Sequence, residues 1–276
     1  VNPTRRLVLL GALLAAAVPA RAQLEALGGD PPVVPGKDVM WVPTPDAAVE
    51  RMLSMARVGP RDLLYDLGSG DGKIPIAAAR RYGARAVGIE YSPDMVELSR
   101  ANALKAGVGD RVRFRQADLF ASDFSEATVL TLYLLTTINL KLRPQILEMR
   151  PGTRVVSHMF RMGDWEPDES ARVGSSDLYL WVVPARVAGT WTVSRGLGPP
   201  FELVLEQHFQ QVSGAVGVAG ELVPLASVAL RGETIRIAFL GTDGAREVLA
   251  GRVAGDRMVG DDDGHPWTAL RTRRAQ

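Results

Sequence analysis

The chain has no cysteine and only three histidines among its 276 residues. The first absence removes disulfides, thiolate nucleophiles and cysteine-ligated metals. The second leaves little from which to build a transition-metal site, and no metal is expected. An excess of charge of either sign is missing too: 32 Lys and Arg against 31 Asp and Glu leave a net charge of +1. So balanced a surface offers no general field for a polyanion, and the one basic block is Arg271-Thr272-Arg273-Arg274. Nucleic acid is therefore disfavoured as a partner. The apolar stretch Leu7 to Val18 falls short of the ~20 residues that a bilayer span needs, so no stable span is expected in the mature chain.

That stretch reads instead as the middle of an export signal. Arg5-Arg6 precedes it and Ala20-Arg21-Ala22 follows, the order of a charged region, an apolar region and a small-x-small cleavage site. Residues 1–22 are expected to be a signal peptide cut after Ala22. Thr4-Arg5-Arg6-Leu7-Val8-Leu9 is similar to a twin-arginine signal but lacks its usual aromatic residue and lysine. The expected compartment is the periplasm, with the cytoplasm as the alternative. Residues 23–40 hold Gly28-Gly29, Pro31-Pro32 and Pro35-Gly36 without periodicity and are expected to form an extended linker.

The body of the chain falls into two compositional styles. From Asp46, the positions Ala48, Met52, Leu53, Met55 and Ala56 follow a helical period that stops at Arg57-Val58-Gly59-Pro60. Strands are then predicted at Leu63–Leu67, Ala86–Glu90, Val112–Gln116, Thr128–Leu134 and Arg154–His158, with helices at Lys73–Tyr82, Pro93–Ala106 and Leu140–Met149. This alternation predicts an α/β domain over residues 41–185, a doubly wound parallel sheet with right-handed crossovers. Beyond Pro184, glycines punctuate short alternating runs, which predicts a small all-β domain over residues 186–276, a barrel or meander of hairpins. Its Trp191, Phe201, Leu203, Leu205, Phe209 and Trp267 read as core. His208 with Gln207, Gln210 and Gln211 is a candidate recognition face.

The most specific local pattern is Leu64-Tyr65-Asp66-Leu67-Gly68-Ser69-Gly70-Asp71-Gly72, a strand, a tight turn and a helix start. Glycines there permit positive φ and close approach of a ligand, and the helix beyond offers unpaired N–H groups. Alone it would serve NAD, FAD, S-adenosyl-L-methionine (SAM) or packing. Its neighbours narrow the choice. Glu90 ends the second strand twenty residues after Gly70, where an acid accepts hydrogen bonds from ribose hydroxyls, and Asp118 follows the third. An acid within the turn repels a pyrophosphate but suits the ammonium and sulfonium of SAM.

Asp66-Leu-Gly-Ser-Gly-Asp-Gly72, Gly88-Ile-Glu90 and Ala117-Asp118-Leu119 resemble the first three motifs of class I, seven-β-strand SAM-dependent methyltransferases. Within them, Val42-Pro-Thr-Pro45, the Ser69/Asp71 form of the glycine motif and Tyr133-Leu-Leu are similar to the group related to mitochondrial protein-lysine methyltransferases. The resemblance covers Val39 to Val183. It implies a Rossmann-like fold, Gly68 and Gly70 beside the methionine part of SAM, Glu90 on the ribose and Asp118 near the adenine amine. Asp66 would support the turn or the SAM ammonium. Methylases of DNA bases or glutamine often carry Asn/Asp-Pro-Pro-Tyr/Phe after the fourth strand. Here that place reads Tyr133-Leu134-Leu135-Thr136, which disfavours those substrates.

Methyl transfer asks mainly for alignment and an unprotonated acceptor. Tyr133, His158 and Asp164 are the candidate catalytic residues, with Trp165 beside them and Pro43-Thr44 lying across the same opening. The methyl acceptor is expected to be a protein or a small molecule, and the β domain to assist in recognising it. The alternative is a non-catalytic exported scaffold that keeps the SAM fold and binds envelope partners. An aminopropyl-transferring relative is disfavoured, because no acid pair suited to a polyamine follows the fourth strand.

Overall fold

The computed structural model describes residues 42–196, 198–262 and 264–274. The expected signal segment and linker lie outside the described residues. Helix α1 (Asp46–Met55) buries Ala48, Val49, Met52, Leu53 and Met55 along one side, as its periodicity requires. It ends where Arg57 turns to a φ of 48° just ahead of Gly59-Pro60. There follow β1 (Leu63–Leu67), α2 (Lys73–Tyr82), β2 (Arg85–Glu90), α3 (Pro93–Lys105), β3 (Val112–Gln116), β4 (Val129–Leu132), α4 (Thr136–Leu147), β5 (Arg154–His158), β6 (Glu169–Val173) and β7 (Ser176–Val182).

These strands form one sheet in the order β3-β2-β1-β4-β5-β7-β6. The first five are parallel, and β7 runs antiparallel to both β5 and β6. Helices cover both faces, so β1 and β4 are apolar apart from Asp66 and Thr131, and all their residues but the half-buried Leu63 are buried. One core packs α1, α2 and α3 against the sheet. The other packs α4 with Trp165 and Trp181. Strand order reverses between β1 and β4, which opens a crevice at the carboxyl ends of the strands.

The Rossmann-like reading of this half is correct, with three local differences. The fourth strand stops at Leu132 rather than Leu134, since its pairing with β1 and β5 ends there. Helix α4 starts earlier than its apolar pattern implies, at Thr136 rather than Leu140. Tyr133, Leu134 and Leu135 are thus released into the turn between β4 and α4. The β6–β7 hairpin has no counterpart in the sequence reading, because β6 alternates half-buried and exposed residues on a sheet edge and reads as loop.

The C-terminal half is all-β, as expected. Strands β8 (Gly189–Arg195), β9 (Phe201–His208), β10 (Gln211–Val218), β11 (Glu221–Pro224), β12 (Ser227–Arg231), β13 (Thr234–Leu240), β14 (Arg246–Ala254), β15 (Arg257–Asp262) and β16 (His265–Arg274) make one antiparallel sheet. Its order is β11-β10-β9-β8-β16-β15-β14-β13-β12, so β16 sits at the centre between β8 and β15. The sheet curls around Trp191, Leu203, Val216, Ile237, Leu249 and Trp267. Its two ends are drawn together where the Leu225 N–H donates to the Gly214 carbonyl (2.9 Å) and the Ala226 N–H to the Ala238 carbonyl (2.8 Å).

The two halves meet at the tip of the β9–β10 hairpin. Phe209, at a φ of 53°, stacks on Trp165 with ring centroids 5.7 Å apart. The Arg143 guanidinium lies 5.2 Å from the Phe209 ring centre. Gln210 closes the contact, accepting from the Trp165 indole N–H (2.9 Å) and donating to the Glu166 carbonyl (2.6 Å). Gln207 accepts from the Val187 N–H and donates to the carbonyls of Ala185 and Phe209. Gln207 and Gln210, expected on a recognition face, therefore work at the domain junction, while Gln211 is exposed at the start of β10.

Candidate functional site

The turn after β1 takes its shape from glycine. Gly68, Gly70 and Gly72 have φ of 80°, 51° and 81°, values that an L side chain resists. The N–H groups of Gly68 and Ser69 both donate to the Ile89 carbonyl, at 2.8 and 3.0 Å, which folds the loop onto β2. A methyl group on Gly68 would lie 3.1 Å from the Leu134 side chain. Glycine keeps the space above the turn clear.

Glu90 holds the other flank, its Oε2 accepting from the Gly70 N–H and its Oε1 from the Ser92 N–H, both at 2.9 Å. Asp118 caps a short 3-10 turn, Leu119–Ala121, by accepting from the Phe120 N–H at 2.9 Å. Asp66 is buried at the end of β1 and accepts from the Thr131 hydroxyl at 2.7 Å. Burial pushes its carboxyl up to about 7, against the Thr131 hydrogen bond and with help from the negative charges of Asp71 and Glu90. A cation brought close to this cluster would relieve all three acids.

These groups line one cavity of about 270 Å³. Its contents follow the sheet order: Asp118 beside β3, Glu90 at β2, the glycine turn at β1, then Tyr133, Leu134 and Leu135 after β4 and Phe160 after β5. Val42, Pro43 and Thr44 lie across it as a strap, where the sequence places Pro43-Thr44. Lys73 ties the strap down, its ammonium donating to the Thr44 carbonyl at 3.0 Å and pairing with Asp46 at 3.2 Å. Lys73 is absent from the residues singled out by sequence, although a lysine opening the helix after the glycine turn is a signal for it.

Of the three candidate catalytic residues, the structure brings two together. Tyr133 lines the cavity, and the His158 ring lies against it with centroids 4.0 Å apart. His158 is 2% exposed and neither ring nitrogen has a hydrogen-bond partner. Burial lowers its pKa. Asp164 is not brought to the cavity. It is exposed, pairs with Arg143 and lies 3.6 Å from His208 at the domain junction, and Arg143 holds its pKa down. Trp165 is fully buried there.

SAM fits what is present: a cradle kept open by glycine, the ordered Glu90 carboxylate on one flank, acids that suit a positively charged ligand, and a buried Ser69 hydroxyl on the cavity wall without a partner. Among the described residues, no group of three or more His, Asp or Glu side chains is arranged to hold a metal ion.

Comparison with known proteins agrees with this geometry. Residues 66–169 match the family model described as the ANTKMT methyltransferase domain. The chain is 42% identical over 151 residues to a protein-lysine N-methyltransferase of Saccharolobus islandicus, covering 52% of this chain and 94% of that protein. It is 32% identical over 151 residues to the adenine nucleotide translocase lysine N-methyltransferase of Mus musculus, covering 54% of this chain and 64% of that protein. Among solved structures, an RNA methyltransferase from Salinibacter ruber in complex with S-adenosyl-L-homocysteine (SAH) shares 56% identity with a TM-score of 0.52, covering 53% of this chain and 96% of that chain.

Proposed function

The chain belongs to the SAM-dependent methyltransferases of the ANTKMT group, and from that premise we propose that it methylates the ε-amine of a lysine in a protein. When bound, SAM supplies a methyl group on a positively charged sulfur: the N–C bond forms as the C–S bond breaks, and its electron pair stays on sulfur. The protein's own residues hold and align. Glu90 and Asp118 fix the nucleoside end, the Gly68–Gly70 turn receives the methionine end, and Tyr133 and Phe160 wall the acceptor end.

The observation that carries the acceptor reading is the rim. Val42 and Leu135 line the cavity and are exposed, at 51% and 40%, and the exposed Tyr91 and Phe120 continue the apolar rim past the nucleoside end. Such a mouth suits a lysine flanked by apolar residues. An RNA strand would call for a rim of lysines and arginines instead. The likeness to the Salinibacter RNA methyltransferase therefore bears on the SAM cradle and not on the acceptor. The nine-stranded domain supports the loop after β5 and in that way assists acceptor recognition.

The Arg5-Arg6 segment with its apolar run and Ala20-Arg21-Ala22 supports export to the periplasm, which a reporter fused to residues 1–22 tests. The acceptor is tested by incubating the full chain with methyl-labelled SAM and a lysate of cells lacking it. Label recovered as methyl-lysine after protein hydrolysis is the expected result. Label recovered in nucleosides, or none transferred while SAH still binds, overturns the lysine reading.

A further inference from the structure

An unpartnered polar group in a protein core destabilises the fold, so its persistence calls for a use. His158 presents two such atoms, Nδ1 and Nε2. Its place is specific. Tyr133 follows the β4 residue that pairs with Ser157, so Tyr133 and His158 are neighbours across the carboxyl edge of the sheet. His158 is thus one ring behind the cavity wall, at the acceptor end and away from Glu90 and Asp118. The adjoining turn is held open by its backbone: Met159 has a φ of 67°, the Phe160 N–H donates back to the His158 carbonyl (2.9 Å), and Asn139 donates to the Phe160 carbonyl (3.4 Å). Tyr133 is half-buried, and a turn of its ring of the kind that binding commonly causes bares the imidazole.

An amine ready to accept a methyl group has lost its extra proton to solvent. It keeps a lone pair to aim and N–H bonds to donate. A neutral imidazole has one nitrogen that accepts. A charged carboxylate in its place would hold the unreactive ammonium. We propose that His158 is the hydrogen-bond seat of the acceptor amine, taking one N–H so that the lone pair faces the methyl group. This rests on the lysine reading and adds a consequence that packing alone does not give. A neutral lysine has two N–H bonds, monomethyl-lysine one and dimethyl-lysine none, so the seat serves the first and second methylations and is idle in the third.

The test uses the full chain, labelled SAM and three synthetic leucine- and alanine-rich peptides with one central lysine carrying no, one or two methyl groups. His158→Leu is expected to lower kcat/KM about 5- to 30-fold on the first two peptides, the worth of about one to two kcal/mol of lost hydrogen bonding at ~1.36 kcal/mol per tenfold. On the dimethylated peptide it should match the wild type. His158→Gln, which keeps an acceptor, should recover most of the loss. SAH affinity by calorimetry should be unchanged, and the leucine variant should melt no lower than wild type, since it removes two unpartnered nitrogens. An equal loss on all three peptides, or no loss on any, overturns the seat and leaves the lysine reading standing. Wild-type protein that binds SAH and methylates none of the peptides overturns the lysine reading itself, and the seat with it.

Discussion

The two halves of the molecule differ in how fully their buried polar groups are satisfied. In the nine-stranded domain both buried indoles have partners: Trp191 donates to the Val187 carbonyl at 2.8 Å and Trp267 to the Ala250 carbonyl at 3.2 Å. The polar atom left over there is a single nitrogen of Arg195, whose guanidinium otherwise pairs with Glu247, while the Arg271 Nε lies 2.9 Å from the Asp256 carboxylate. In the α/β domain the leftovers are single oxygens of Glu50 and Asn139 and, besides these, two whole functional groups, the Ser69 hydroxyl and the His158 imidazole, together with a carboxyl at Asp66 held against its ordinary ionisation. Unmet demand of that kind marks where a ligand comes in. The satisfied half behaves as a support.

Four substitutions put this contrast to the test. The largest effect is expected at Glu90→Ala, which frees the N–H groups of Gly70 and Ser92 together. Two charge-assisted hydrogen bonds are at stake, and SAH affinity measured by calorimetry should fall roughly a thousandfold.

Asp66→Asn comes next and carries a pH signature. With its pKa raised from 3.8 to about 7, folded Asp66 keeps a proton that the unfolded chain has already lost. Its contribution is complete below about pH 4 and is lost as pH rises through about 7. The asparagine variant should therefore be more stable than wild type at pH 8, by roughly 2–4 kcal/mol on a linkage argument, and by less than half of that at pH 5. Urea titrations at the two pH values decide it. SAM binding near pH 7 should release a proton from the wild type alone, seen as a buffer-dependent heat.

A smaller effect is expected at the junction. Phe209→Ala removes the ring between Trp165 and Arg143 and should cost about 2 kcal/mol. If the β domain is a support, scanning calorimetry should show one unfolding transition split into two, with SAH affinity intact and turnover reduced through the Phe160 turn. The smallest change is Arg172→Ala. Its pair with Asp177 is exposed, and less than about 0.5 kcal/mol is expected; a larger loss would mean that the sheet edge at β6 matters more than its exposure suggests.

The parts of the fold that read directly from the sequence are those whose local and distant demands agree. At β1, the apolar run, Asp66 and the three glycines each require the same strand, turn and helix start, and the structure has them at the expected residues. Glu90 is legible as a cavity residue because β2 ends with it, and Asp118 because it follows two residues after the end of β3. Tyr133 is legible as a cavity residue, but the point where β4 ends is set by its pairing partners, which no local pattern records. Asp164 looks like a cavity acid from its place after β5. It lies at the junction because Phe209 and Gln210, far along the chain, draw Trp165 away from the cavity. For the same reason Gln207 and Gln210 read as surface, and the β6–β7 hairpin escapes notice on an edge where half-exposed residues suffice.

The position of β16 has a consequence for synthesis. The strand at the centre of the nine-stranded sheet is the last of them to leave the ribosome, so β8 waits on the order of seconds for its neighbour at ordinary translation rates. The α/β domain and its cofactor cradle can form in that interval. The sheet that braces Trp165 cannot close before it, and a chain cut short ahead of His265 would hold a folded cradle beside a β domain split at its middle.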